Sequence, residues 1–152
     1  MVIRQPEDVC IYELVSNKQC TYLDVDLKVR DCLTMSPEIQ EDRWVVARQV
    51  LELLRWGYDK YLGVSLQSSH ITIGDGSGSD KISYHFIVYD GIHAWETGLA
   101  KEPPFTSSQR EFISLLRAET LRNHERWCYL TFIHKRSSVL ASVIDLALQM
   151  KF

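Results

Sequence analysis

The sequence predicts a mixed α+β domain, with a largely antiparallel sheet flanked by helices. Three observations carry that prediction. Two segments, residues 21–29 and 81–88, alternate polar and apolar residues with the period of two that suits a strand with unlike faces. Two others, spanning about 36–62 and 106–122, open on helix-start residues and then carry apolar residues at helical spacing. The elements run β-β-α-β-β-α-β, with no internal repeat and no low-complexity tract.

Taken in order, Cys10 to Val15 and Cys20 to Val29 read as two strands, with Ser16-Asn17-Lys18-Gln19 as their connection. Ser36-Pro37-Glu38 then starts a helix, with Ser as N-cap and Pro at the first helical position. Val45, Val46, Val50, Leu53 and Leu54 form its apolar stripe, which Trp44 and Trp56 extend. Glu41, Arg43, Arg48 and Glu52 form its solvated face. Gly57 is a weak point and Gly63 the stop. A strand over 69–73 leads into Gly74-Asp75-Gly76-Ser77-Gly78-Ser79-Asp80. That loop lacks the Gly-Lys-Ser/Thr ending of a P-loop, and both a plain hairpin loop and a ligand-approach loop fit it. After the strand at 81–89, Asp90-Gly91 marks a turn. Thr106-Ser107-Ser108 caps a helix to Arg122 with Phe112, Leu115, Leu116 and Ala118 as its buried side, and Trp127 to Ile133 reads as a further strand.

The chain has 152 residues, enough for one domain spanning 1–152 with a real core. Hydrophobic residues make up 45% and charged residues 24%, which argues against a disordered chain, and the net charge of −3 does not advertise a polyanion partner. A local basic groove would still suffice to hold a few phosphates. Cys10, Cys20, Cys32 and Cys128 have neither CxxC spacing nor His partners at zinc-site distance, so no zinc is expected and the thiols read as reduced. No apolar signal core or membrane-length run is present, and the expectation is a soluble, intracellular protein without a membrane partner.

Chemistry concentrates on the two alternating strands. Asp24 and Asp26 share one face, as do Lys81, Ser83 and His85. Two neighbouring carboxylates repel unless a cation lies between them, and a hard divalent ion prefers such oxygens. The cation, hydroxyl and imidazole of the second trio are what a triphosphate needs. Together they point to metal-dependent phosphoryl chemistry.

Tyr22-Leu23-Asp24-Val25-Asp26 resembles the first motif of archaeo-eukaryotic-type primases, an apolar residue followed by Asp-x-Asp/Glu. Lys81-Ile82-Ser83-Tyr84-His85 resembles their second, Ser-x-His with a Lys two residues ahead. The likeness is nearest to the primase-polymerase branch, including relatives from large DNA viruses, and spans about residues 5–90. It takes in Pro6-Glu7-Asp8-Val9-Cys10 before the first motif and Tyr61-Leu62-Gly63-Val64 at the end of the intervening helix. The resemblance implies a primase catalytic core with an RNA-recognition-like sheet, acting as a DNA primase or polymerase. Its partners would be template DNA, nucleoside triphosphates, and a helicase or other replication proteins. It also implies that Asp24 and Asp26 hold Mg²⁺ or Mn²⁺, that Ser83 and His85 contact the nucleotide's phosphates, and that Lys81 adds positive charge beside them.

The family pattern needs a third acidic residue on a later strand, and Asp145 in Val143-Ile144-Asp145-Leu146 is the candidate metal ligand. Read as a strand, Ile144 and Leu146 face one way and Asp145 the other. Read as a helix, Ser138, Ser142, Asp145 and Gln149 form a polar stripe, and both readings stay open. Asp80 and Asp90 are weaker substitutes. The family continues beyond this point with cationic strands, whereas the chain stops at Lys151-Phe152, so the domain is read as a truncated or minimal form. Arg110, Arg117, Arg122, Arg126, Lys135 and Arg136, interleaved with Trp127, Tyr129 and Phe132, fit either a template groove or a solvated face over a core. A non-catalytic nucleotide- or nucleic-acid-binding relic, or an unrelated Asp-x-Asp metal nuclease, fits the same residues.

Overall fold

The computed structural model describes residues 18–19, 21–89, 95–96 and 109–146. The strands, in chain order, are β1 (Lys18–Gln19), β2 (Thr21–Lys28), β3 (Cys32–Thr34), β4 (Ile71–Asp75), β5 (Lys81–Val88), β6 (Trp95–Glu96), β7 (Thr131–His134) and β8 (Leu140–Ser142). The helices are α1 (Pro37–Glu41), α2 (Trp44–Gly57) and α3 (Gln109–Arg122). The architecture is mixed α+β, and every strand pairing is antiparallel: β2-β5-β4, β3-β7-β8 and the short ladder β1-β6.

β2 and β5 form the centre because their alternation gives each one wholly apolar face. Leu23, Val25 and Leu27 of β2 and Ile82, Tyr84, Phe86 and Val88 of β5 are all buried. Against them pack Val46, Ala47, Val50, Leu53 and Leu54 of α2 and Phe112, Ile113 and Leu116 of α3, in one continuous core. The two helices approach closely at Gly57, where a Cβ would lie 2.5 Å from Leu116 Cδ2 and 3.1 Å from Phe112 Cζ. Gly57 is therefore a packing contact between helices, and α2 passes from it into a π-helical turn, Tyr58–Leu62. The turn ends at Gly63 with φ 65°, the expected stop.

Several boundaries differ from the sequence expectations. The strand expected over Cys10 to Val15 lies outside the described residues, as do the capping residues 106–108. Lys18 and Gln19, expected in a connection, form β1 and pair with β6. The single helix from Ser36 is two helices. Pro37 does occupy the first turn, but Ser36 makes no side-chain cap bond. The chain restarts at Trp44, whose amide donates to Asp42 Oδ1 at 3.0 Å. Residues 68–70 form a 3₁₀ turn, so β4 begins at Ile71. In α3, Leu115 and Ala118 are exposed, and Ile113, Glu119 and Thr120 complete the buried side. The strand expected from Trp127 starts only at Thr131. Turns occupy 123–129, held by Gln49 of α2, which donates to Arg126 O at 3.1 Å and accepts from Tyr129 N at 2.8 Å.

The C-terminal hairpin matters most for the site. β7 and β8 pair around a turn containing Ser138 at φ 60°, which rules out a helix through Ser138 and Ser142. From β8 the chain runs on to Ile144, which forms an antiparallel bridge with Val25, while Asp26 N donates to Val143 O at 2.9 Å. β2 is thereby flanked on both sides. Asp145 follows that single bridge outside any strand, and Leu146 is already helical, so neither reading takes in Asp145 itself.

Candidate active site

The register of β2 and β5 sets Asp24 opposite His85, Asp26 opposite Ser83 and Lys28 opposite Lys81. Directly opposed residues on antiparallel strands share a face. The acidic pair and the Lys/Ser/His trio therefore converge on the side of the sheet away from the helices. On the far edge of β2, the Val25–Ile144 bridge puts Asp145 next in register with Asp24. Across the face the order is then glycine loop, β5 trio, β2 acids and Asp145.

Asp24 is 5% exposed and its Oδ1 is hydrogen-bonded to His85 Nδ1; the Tyr22 hydroxyl lies 3.2 Å from the same nitrogen. Tyr22 is itself tied to α3, because its amide donates to Gln109 Oε1. Asp26 is less enclosed as a residue, yet its Oδ1 is shut off from solvent and meets no hydrogen-bond partner among the described residues. An acceptor desolvated in this way is costly unless something supplies positive charge. The chemistry of the donors fits Mg²⁺ or Mn²⁺: carboxylate oxygens from Asp24, Asp26 and Asp145, one of them unsatisfied. Among the described residues no three His, Cys, Asp or Glu side chains already converge on one ion position.

The glycine loop closes the other edge. Gly76 N donates to Ser83 O and Gly78 N to Lys81 O, both at 2.9 Å, so the β4–β5 pairing continues into the loop. Ser77 Oγ accepts from Ser83 N at 2.9 Å. A Cβ on Gly76 would sit 3.7 Å from both His85 Nε2 and Ser83 Oγ, so glycine keeps open the space above these two groups. Arg43, expected on a solvated face, instead reaches the loop and donates to Gly78 O at 2.5 Å. On the helix side of the sheet, burial foremost and the Asp75 carboxylate next push the Tyr84 phenol above its ordinary value, which keeps it neutral in the core.

A cavity of about 430 Å³ opens on the Asp145 side, lined among others by Asp26, Lys28, Asp31, Arg117, Phe132 and Asp145. The arginines and aromatics of the last third therefore divide. Trp127 is fully buried, with its indole donating to Glu119 Oε2 at 3.0 Å, and belongs to the core. Arg122 pairs with Glu119 and Arg126 stacks on Trp127, while Arg117 and Phe132 reach the cavity. Tyr22, Gln109, Arg43 and Lys28 are neighbours that sequence reasoning did not single out. Only Tyr22 and Lys28 had a signal, being in phase with Asp24 and Asp26 on β2.

No helix among the described residues is long and apolar enough to cross a membrane. Set against known proteins, the sequence matches no family model and no curated protein.

Proposed function

We propose that this chain is a primase-polymerase-type nucleotidyltransferase domain that joins nucleoside triphosphates on a DNA template. One feature supports the reading above all others. Asp24 and Asp26 lie in register with His85 and Ser83, with Asp145 directly after Ile144, which bridges to the opposite edge of the same strand.

In this reading the β5 flank receives the triphosphate. Lys81, exposed at the end of the strand, supplies charge to the outer phosphates, and Ser83 donates its hydroxyl. His85, held at Nδ1 by Asp24, presents Nε2 beneath the glycine loop, where its imidazolium form donates to a phosphate oxygen. Asp24, Asp26 and Asp145 would hold Mg²⁺ or Mn²⁺, which when bound supplies electrostatic stabilisation to the attacking and leaving oxygens. Carboxylates alone would repel the α-phosphate, so its placement over β2 would depend on that cation, while Arg43 holds the glycine loop at the β5 flank through Gly78 O.

The test is calorimetric titration of a nucleoside triphosphate with Mn²⁺, alongside extension of a labelled primer on a template. Wild type is expected to bind and extend, and the Asp24→Ala/Asp26→Ala double variant to do neither while staying folded. Extension that persists in the double variant overturns the assignment. A second reading, the non-catalytic binding relic, is favoured by two observations: Asp24 is already engaged by His85, and among the described residues no three ligand-type side chains converge. It is told apart by triphosphate binding without turnover, and a nuclease by shortening of labelled DNA with metal and no nucleotides.

A further inference from the structure

The tip of the β7–β8 hairpin carries a cluster that neither the core nor the proposed function uses. Lys135, Arg136, Ser137, Ser138 and Val139 are all exposed, and among the described residues none of them packs on the core. Val139, at 59%, is the most exposed of the large hydrophobic side chains described, and nothing in the packing accounts for it. Bonds of its own backbone and short side chains hold the turn. Ser138 N donates to His134 O at 2.8 Å, Arg136 N to His134 Nδ1 at 3.1 Å and Val139 N to Ser137 Oγ at 3.4 Å. Ser138 sits at φ 60°, a left-handed conformation that is costly for a residue with a Cβ. Opening this tip breaks a few local bonds, releases that strain and disturbs no core contact, as suits an accessible loop tip.

We infer that Ser138 is a phosphorylation site for a Ser/Thr protein kinase that reads basic residues ahead of its acceptor. Such a kinase seats cations two and three residues before the serine in acidic pockets, and an apolar residue after it in an apolar one. Arg136 and Lys135 stand two and three residues before Ser138, and Val139 follows it. Ser137 lacks this setting, because Arg136 directly precedes it and the polar Ser138 follows. In the transfer, Ser138 Oγ bonds to the γ-phosphorus of ATP, and the bond from that phosphorus to the oxygen bridging to the β-phosphate breaks. ADP leaves with the electron pair, and the hydroxyl proton passes to the carboxylate base of the kinase. The exposed valine thereby gains a use.

The product acts on its own turn. A phosphoserine carries about −1.5 to −2 of charge at neutral pH and three strong acceptor oxygens. Lys135 and Arg136 are close enough in the chain to hold it, so a doubly positive tip becomes nearly neutral. Lys135 N donates to Asp31 O at 2.7 Å, which brings the Arg30–Asp31 turn alongside; those two charges cancel and leave the balance unchanged. The turn is then tied by charge as well as by backbone bonds. This inference stands apart from the nucleotidyl-transfer reading.

The experiment incubates the folded chain with ATP and the catalytic subunit of cyclic-AMP-dependent protein kinase, a basic-directed enzyme, with an acid-directed kinase as control. Intact mass is expected to show a single added phosphate, and peptide mapping to place it on Ser138. Ser138→Ala should lose the label and Ser137→Ala should keep it. Arg136→Gln should slow incorporation by about tenfold, the worth of one charge-assisted contact. If Ser138→Ala does not fold, Ser138→Gly, which suits the positive φ, serves as the unmodifiable variant. Limited trypsin digestion reads the effect on the turn: cleavage after Lys135 and Arg136 in the native protein should slow by about tenfold once Ser138 is phosphorylated. No incorporation into the folded chain, label retained in the unmodifiable variant, or a rate indifferent to Arg136→Gln overturns the site. Unchanged cleavage of the phosphorylated protein overturns the pairing with the cations. None of these readouts depends on triphosphate binding or primer extension, so the proposed function stands or falls separately.

Discussion

Neutralising Asp26 should stabilise the metal-free protein while abolishing its response to metal. Asp24 and Asp26 are two residues apart on one strand face, about 7 Å at the usual rise per residue. Two unit charges at that separation repel by about 2 kcal/mol at an effective dielectric constant near 20. The bond from His85 to Asp24 and the partial exposure of Asp26 both screen this, and about 1 kcal/mol is a fair working value. Asp26→Asn removes the repulsion and allows the amide to donate where the carboxylate could only accept. In EDTA its melting temperature should rise by about 2–4 °C, as expected for a domain of this size. Wild type should gain about 2.7 kcal/mol from Mn²⁺ at a hundred times its dissociation constant, and Asp26→Asn a small fraction of that. Paired thermal melts in EDTA and in Mn²⁺ measure both effects. A variant that melts below wild type in EDTA, or one whose Mn²⁺ shift equals that of wild type, would refute the reasoning.

Two further outcomes follow from other contacts. Gly76→Ala places a methyl 3.7 Å from His85 Nε2 and Ser83 Oγ; its melting temperature should change by less than about 2 °C, while calorimetry should record a loss of triphosphate affinity of about tenfold. Glu119 titrates below its ordinary value: burial opposes ionisation, but the Trp127 and Arg122 hydrogen bonds and the Arg122 charge outweigh it. A depressed carboxylate contributes stability above its unfolded value and loses it as pH falls through the folded one. Glu119→Gln should therefore cost about 1 kcal/mol at neutral pH, with the gap to wild type closing in acid below about pH 4.5, as denaturant melts across pH will show.

The site was more legible in the chain than the surrounding architecture. Alternation of Asp24 and Asp26 with Leu23, Val25 and Leu27 survives folding because the apolar set must face the helices, and that alone fixes which way the acids point. The same logic carried Lys81, Ser83 and His85. The break between α1 and α2 was invisible because no Gly or Pro marks it; Asp42 makes it through a side-chain bond to the next helix. Trp127 and Tyr129 stand two apart as in a strand, yet the indole finds its partner in Glu119 and the backbone in Gln49, contacts that no local pattern announces. Asp145 lies where the two readings meet: Ile144 pairs with Val25, while Leu146 is already helical, as its neighbours' propensities favour. Arg43 read as a solvated face because its acceptors are loop carbonyls more than thirty positions on.

The bridge from Ile144 to Val25 also bears on the order in which the candidate site assembles. Residues near opposite ends of the described chain must meet before Asp145 stands beside Asp24, and such distant closures are slow to form. On a ribosome, β2 and β5 can pair early, but the final carboxylate emerges only after the β7–β8 hairpin has been synthesised. A chain cut short before residue 143 would retain most of this hydrophobic interior yet lack the third acid of the proposed trio.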